Sequence, residues 1–139
     1  MRKKSGEYND IFFIPDDCRK EEVKEIAIKL LQHIISKKEP ISYKDLSLKL
    51  SSNSSFHNRP RDIERPLGRI SYACKDNGLP PISVMVINKE TNMPGAGFFK
   101  AYCSEIKGKD EQMDEAIKLM KEVIAYESWN DVLAAFDNI

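Results

Sequence analysis

Arginine recurs at a spacing of four, at Arg61, Arg65 and Arg69. On an α-helix, residues four apart lie on one face, so these three make a cationic stripe. Ile63, Leu67, Ile70 and Cys74 fall on the other side of the same helix, while Tyr72 joins the arginines. One face can then pack while the other reaches outward, the division that a helix lying in the DNA major groove requires. Arginine suits that task because its guanidinium bonds bidentately to guanine O6 and N7 or to a phosphate. Other residues are placed to hold a nucleic-acid backbone: Asn58 and Arg59 where this helix starts, Tyr43 and Lys44 on the helix before it, and Lys89, Asn92 and Lys100 after it. His57 lies close to the arginines and could touch a phosphate or stand exposed. The competing reading of the stripe is a solvated face on which Glu64 pairs with an arginine.

Other chemistry finds less support. No GxSxG, Walker A, HExxH or paired-histidine metal spacing occurs in the chain. The GAGF of residues 95–98 superficially suggests a phosphate loop, but a phosphate cradle needs a helix N-terminus and this stretch is expected to enter a strand. Cys18, Cys74 and Cys103 are far apart and odd in number, which speaks against a disulfide framework and for structural thiols. His33 and His57 add too little for a zinc site, and His33 reads as a helix-surface residue. No metal, no cofactor and no catalytic constellation is expected.

The elements that would position the arginines can be read in order. Residues 1–15 form an N-terminal arm, with Ile11, Phe12, Phe13 and Ile14 as a short edge strand or plug ended by Pro15. Asp16 or Asp17 then caps a helix whose apolar stripe is Val23, Ile26, Ala27, Leu30, Leu31, Ile34 and Ile35. Lys37 to Pro40 close it. Ser42 reads as the N-cap of a second helix, with Asp45 completing a capping-box pattern and Leu46, Leu48 and Leu50 as its apolar positions. A polar loop, residues 51–58, is anchored by Phe56. The arginine-bearing helix follows. With Pro60 and Pro66 in the way, either it starts near Asp62 to Glu64 or a short turn precedes a kink at Pro66, and Gly78 ends it before Pro80 and Pro81. Residues 82–87 predict a strand, residues 88–95 a turn, and residues 96–103 a returning strand, so that a β-hairpin wing results. Gly95 and Gly97 supply freedom or close approach at the bend. A helix over residues 110–126 presents Met113, Ile117, Met120 and Ile124 on one face, read as core in preference to a dimer seam. Ser128 starts a last helix, with capping-box spacing, that buries Trp129, Val132, Leu133 and Phe136.

These readings amount to a single domain of 139 residues: the arm, a winged helix-turn-helix over residues 16–104, and a helical hairpin over residues 105–139. The fold class is α+β, mostly helical. Net charge is zero, yet residues 1–104 carry 18 Lys and Arg against 13 Asp and Glu, whereas residues 105–139 carry 4 against 9. A polyanion would be drawn to the first part and repelled by the second, unless these are two ordinary solvated surfaces. No apolar run approaches the roughly 20 residues that span a bilayer, and no leader-like segment follows the basic start, so a cytoplasmic protein is expected.

The order of ISYKDLSLKL, RPRDIERPLGRI and GLPPISVMVINKETNMPGAGFF resembles the DNA-binding domain of the O6-alkylguanine-DNA alkyltransferases and alkyltransferase-like proteins. The resemblance covers about 60 residues and implies a tyrosine-bearing helix start at Tyr43, an arginine finger at Arg61 and binding through the minor groove. Where that family carries PCHR, this chain reads ISVMVIN, so the nucleophilic cysteine and its histidine are missing and alkyl transfer is not expected. Non-catalytic binding of double-stranded DNA is the expected function. An origin among phage or restriction and defence proteins, which use winged helices as recognition modules, accompanies that expectation. The alternative is a protein-interaction module on the same scaffold, such as a phage-encoded inhibitor or a regulatory subunit, supported by the neutral total charge, the acidic end and Phe98-Phe99.

Overall fold

Apolar residues at three- and four-residue steps make α1, Lys20–Lys37, whose stripe lies in the core. Ile26, Leu30, Leu31 and Ile34 are fully buried along it. Each contributes about 2 kcal/mol by leaving water. The computed structural model describes residues 20–51, 63–102 and 105–137. The expected arm and its plug, the Asp16 or Asp17 cap, and the polar loop after Ser51 with Phe56 lie outside them. Lys38 closes α1 in the left-handed region at φ 53°, and its N–H bonds to Ile34 O at 3.0 Å.

The chain then makes β1, Ile41–Ser42, and turns at once into α2, Tyr43–Leu48. Ser42 is the N-cap, as its type and place predict, and its Oγ accepts from Asp45 N at 3.1 Å. Leu46 and Leu50 are buried, but Leu48 is half exposed and does not belong to the core. Ser47 faces inward instead: it is buried and donates to Lys44 O. Glu25 of α1 accepts from Ser51 N at 2.7 Å and so fastens the end of this segment to the first helix.

Helix α3, Glu64–Asp76, has the two faces that its pattern predicts. Leu67, Ile70 and Cys74 are buried, together with Ile63 just before it. Pro66 sits in the first turn, where a missing N–H costs nothing. At the other end Gly78, at φ 67°, donates to Lys75 O while Leu79 donates to Cys74 O, the paired bonds of a Schellman cap.

The predicted wing is the main departure. Of residues 82–87, Ile82–Met85 is a short 3-10 helix and only Val86–Ile87 is a strand, β2. That strand pairs with β1, in parallel, with Ile41 beside Val86 and Ser42 beside Ile87. Across the turn an antiparallel bridge joins Asn88 to Met93. The returning strand is a helix, α4, Ala96–Tyr102. Phe98 and Tyr102, four apart, stack with ring centroids 5.8 Å apart, and Phe98 and Phe99 are buried where α4 packs on α3. Packing on a helix chose between two periods that so short an apolar run leaves open.

Helix α5, Lys109–Ala125, and helix α6, Trp129–Asp137, complete the described chain. α6 packs on α1, and α5 lies against the 3-10 helix. Trp129 and Val132 are buried, with Trp129 Nε1 donating to Val123 O at 2.7 Å. The capping-box reading of Ser128 is not met. Its backbone carbonyl accepts from Asp131 and Val132, but its buried hydroxyl has no hydrogen-bond partner among the described residues. The face assigned to the core of α5 is also displaced. Ala116, Leu119 and Val123 are buried, whereas Met113, Ile117 and Ile124 are exposed and Met120 is only partly covered. Among the described residues the architecture is mostly helical with one two-stranded parallel sheet, an α+β arrangement. No helix among them is long and apolar enough to cross a membrane.

Candidate nucleic-acid interface

Parallel pairing of β1 with β2 brings the start of α2 beside the turn that follows β2. Between them opens a cleft of about 460 Å³. Tyr43 and Lys44 stand on one wall, and Asn88 and Lys89 on the other. Glu64, the first residue of α3, and Gly95 complete its polar lining. Lys44, Asn88 and Lys89 are exposed, so their side chains are open to a ligand in solvent.

Tyr43 is fixed within this cleft. Gly95 N–H donates to its Oη at 2.8 Å. A methyl group at Gly95 would stand 2.7 Å from Glu64 Oε1 and 2.8 Å from Tyr43 Oη, so this glycine is required by close approach. Burial pushes the Tyr43 phenol above its ordinary pKa, the Gly95 N–H pulls it back, and the Glu64 carboxylate pushes it up again. The phenol is therefore neutral at physiological pH and keeps an O–H that can donate to a phosphate oxygen.

A second depression, of about 580 Å³, shares Ser42, Ile87 and Lys89 with the first and adds Asn92, Lys49 and His33 together with the acidic Glu39 and Asp45. Asn92 sits at φ 57°, and its N–H bonds to Asn88 O at 2.7 Å, so asparagine there serves the turn itself. His33 Nε2 lies 3.1 Å from Glu39 O, at the end of α1, which agrees with a helix-surface histidine.

The structure thus gathers Tyr43, Lys44, Lys89 and Asn92 along one side of the molecule. Arg65 is exposed and Arg69 half-buried on the outer face of α3, and neither lines the cleft. Lys100 is exposed on α4, also outside it. Arg61, Asn58, Arg59 and His57 lie outside the described residues. Ser42, read as a cap, Asn88, read as part of a turn, and Glu64, read as an arginine's partner, also line the cleft. Only the pairing of strands 45 residues apart makes them neighbours.

Cys74 is not part of any such surface. Burial pushes its thiol up to about 12, with the hydrogen bond from the Ile82 backbone acting in the other direction. A thiol so placed is a packing group and no nucleophile at neutral pH. Cys18 and Cys103 lie outside the described residues. Comparison with protein-family models, with curated proteins and with solved structures returned no match.

Proposed function

We propose that this protein binds double-stranded DNA without catalysing a reaction on it, using the cleft between α2 and the turn after β2 together with the outer face of α3. The observation that carries the reading is the convergence of Lys44, Lys89 and the neutral Tyr43 hydroxyl on one open cleft. Cations and a hydroxyl on two walls match a phosphate backbone running between them, and such contacts fix a protein on a duplex without reading its sequence. In this reading α2 and α3 act as a helix-turn-helix pair, and the turn closed by the Asn88–Met93 bridge acts as a short wing. Arg65 and Arg69 add contacts to phosphates or base edges. Tyr43 at the start of α2 also accords with the minor-groove mode of the alkyltransferase-like proteins. Glu64 sits in the same cleft and opposes anion binding, so affinity rests on the cations around it.

The test is affinity for a duplex as a function of salt, run on the full chain. Logarithmic affinity should fall linearly with logarithmic salt concentration. Lys44→Ala with Lys89→Ala should reduce that slope by about 2, one for each phosphate that is no longer neutralised. Arg65→Ala with Arg69→Ala should weaken binding further. Unchanged binding in both double variants at low salt would overturn the assignment.

A second reading has one specific observation behind it. Met113, Ile117 and Ile124 stand exposed on α5, and an apolar stripe of that kind marks a protein interface.

A further inference from the structure

Met113, Ile117, Met120 and Ile124 follow one another at steps of four, three and four. That is the a and d spacing of a coiled-coil seam. Three of the four are exposed, at 42%, 44% and 37%, and Met120 is partly buried at the base of the stripe. The residues that α5 does bury, Ala116, Leu119 and Val123, lie on the neighbouring face and hold the helix to the rest of the fold. Among the described residues the seam is therefore a face left over after the core is complete.

We infer that this face is the seam of a homodimer in which α5 of one molecule packs antiparallel against α5 of a second copy. The charges flanking the seam select both the partner and its direction. On the side away from the core, the positions next to the seam are Asp114 and Lys121, both exposed. On the core side the corresponding positions are Ala116 and Val123, which are buried and carry no charge. In an antiparallel pair, Met113 layers against Ile124 of the second copy and Ile117 against Met120 of the second copy. Asp114 then faces Lys121 of the second copy, and Lys121 faces its Asp114. A parallel pair would set each of them against the uncharged core-side positions instead. The helix dipoles agree, because antiparallel packing sets the positive end of each α5 beside the negative end of the other. The surface is thus complementary to itself, as an isologous contact must be.

The seam is short. From Met113 to Ile124 it rises about 17 Å, so it buries less than the roughly 800 Å² per partner of a standard interface. The dimer is accordingly weak and concentration-dependent, with a dissociation constant on the order of 10 μM or more.

Sedimentation equilibrium of the full chain, from about 1 to about 500 μM to span interfaces of this strength, tests the inference. A monomer–dimer equilibrium is expected. Asp114→Lys sets like charges together at both symmetric pairs, and so does Lys121→Glu; each should weaken association roughly tenfold. The double variant D114K/K121E exchanges the charges and should restore association to within about threefold of the original. Ile117→Glu should abolish it. Both charged positions are surface residues, and unchanged helicity and melting temperature show that each variant folds. A monomer throughout the concentration range, or a double variant no better than the single ones, would overturn the antiparallel dimer. Failure of DNA binding would leave it intact, because none of these residues lies in the cleft.

Discussion

Gly95→Ala is the most informative single change at the cleft. The new methyl would lie 2.7 Å from Glu64 Oε1 and 2.8 Å from Tyr43 Oη, where ordinary contact begins near 3.4 Å. Glu64 is an exposed, flexible side chain and can swing aside at little cost. Tyr43 cannot: it is packed against the core, and retreat of its hydroxyl breaks the 2.8 Å bond from Gly95 N–H. Loss of that bond costs about 1 kcal/mol, and the displacement of a packed ring about 1 kcal/mol more. The sum, about 2 kcal/mol, lowers the melting temperature of a chain this size by roughly 6 to 10 °C. Urea denaturation measures the same quantity. Tyr43→Phe alone should cost about 1 kcal/mol, because it removes the acceptor and leaves the Gly95 N–H unpaired. It also removes the oxygen against which the methyl collides. The double variant should therefore be more stable than the sum of the single effects implies, by about 2 kcal/mol, because that sum counts the lost bond twice and includes a collision that the double variant lacks. A Gly95→Ala protein within about 0.5 kcal/mol of the parent, or strict additivity in the cycle, would refute the close-approach account.

Two further outcomes follow from groups inside the core. Ser128→Ala removes a buried hydroxyl that has no hydrogen-bond partner among the described residues, so it should leave stability unchanged or raise it by up to about 1 kcal/mol, where serine caps ordinarily lose that much. Cys74, with its thiol pushed up to about 12, gives a pH signature. The unfolded chain ionises this thiol first, near 8.5, so stability is full below that pH and declines as pH rises toward the folded value, at up to about 1.4 kcal/mol per unit. Denaturation between neutral and alkaline pH should show a steeper loss than in a Cys74→Ala variant, and native Cys74 should resist alkylation until the chain unfolds.

Much of the helical frame was legible because its signals are local. The stripe of α1, the two faces of α3, the Ser42 cap and the Gly78 stop each follow from residue type and spacing within a few positions. The returning strand was not, because AGFFKAY suits either period until α3 supplies the surface it packs on. In α5, seven apolar residues from Met113 to Ile124 cover two adjacent faces, and helical spacing alone does not choose between them. The core took Ala116, Leu119 and Val123. The cleft was half legible: Tyr43, Lys44 and Lys89 could be named, but their meeting depends on a strand pairing that no local pattern encodes.

Ser42 joins the two walls of that cleft through one residue. Its backbone pairs beside Ile87 in the sheet, and its side chain caps α2. The first turn of α2, with Tyr43 and Lys44, is thereby set at a fixed angle to the chain that leads into Lys89. The backbone at Lys44 and at Lys89 is set in place before any ligand arrives, and the exposed lysine side chains reach out from it. A ligand that fits this span loses little to reorganisation of the protein, and one that does not fit finds no hinge at Ser42 to accommodate it. If that ligand is the duplex proposed above, selectivity would reside in its groove geometry and bend.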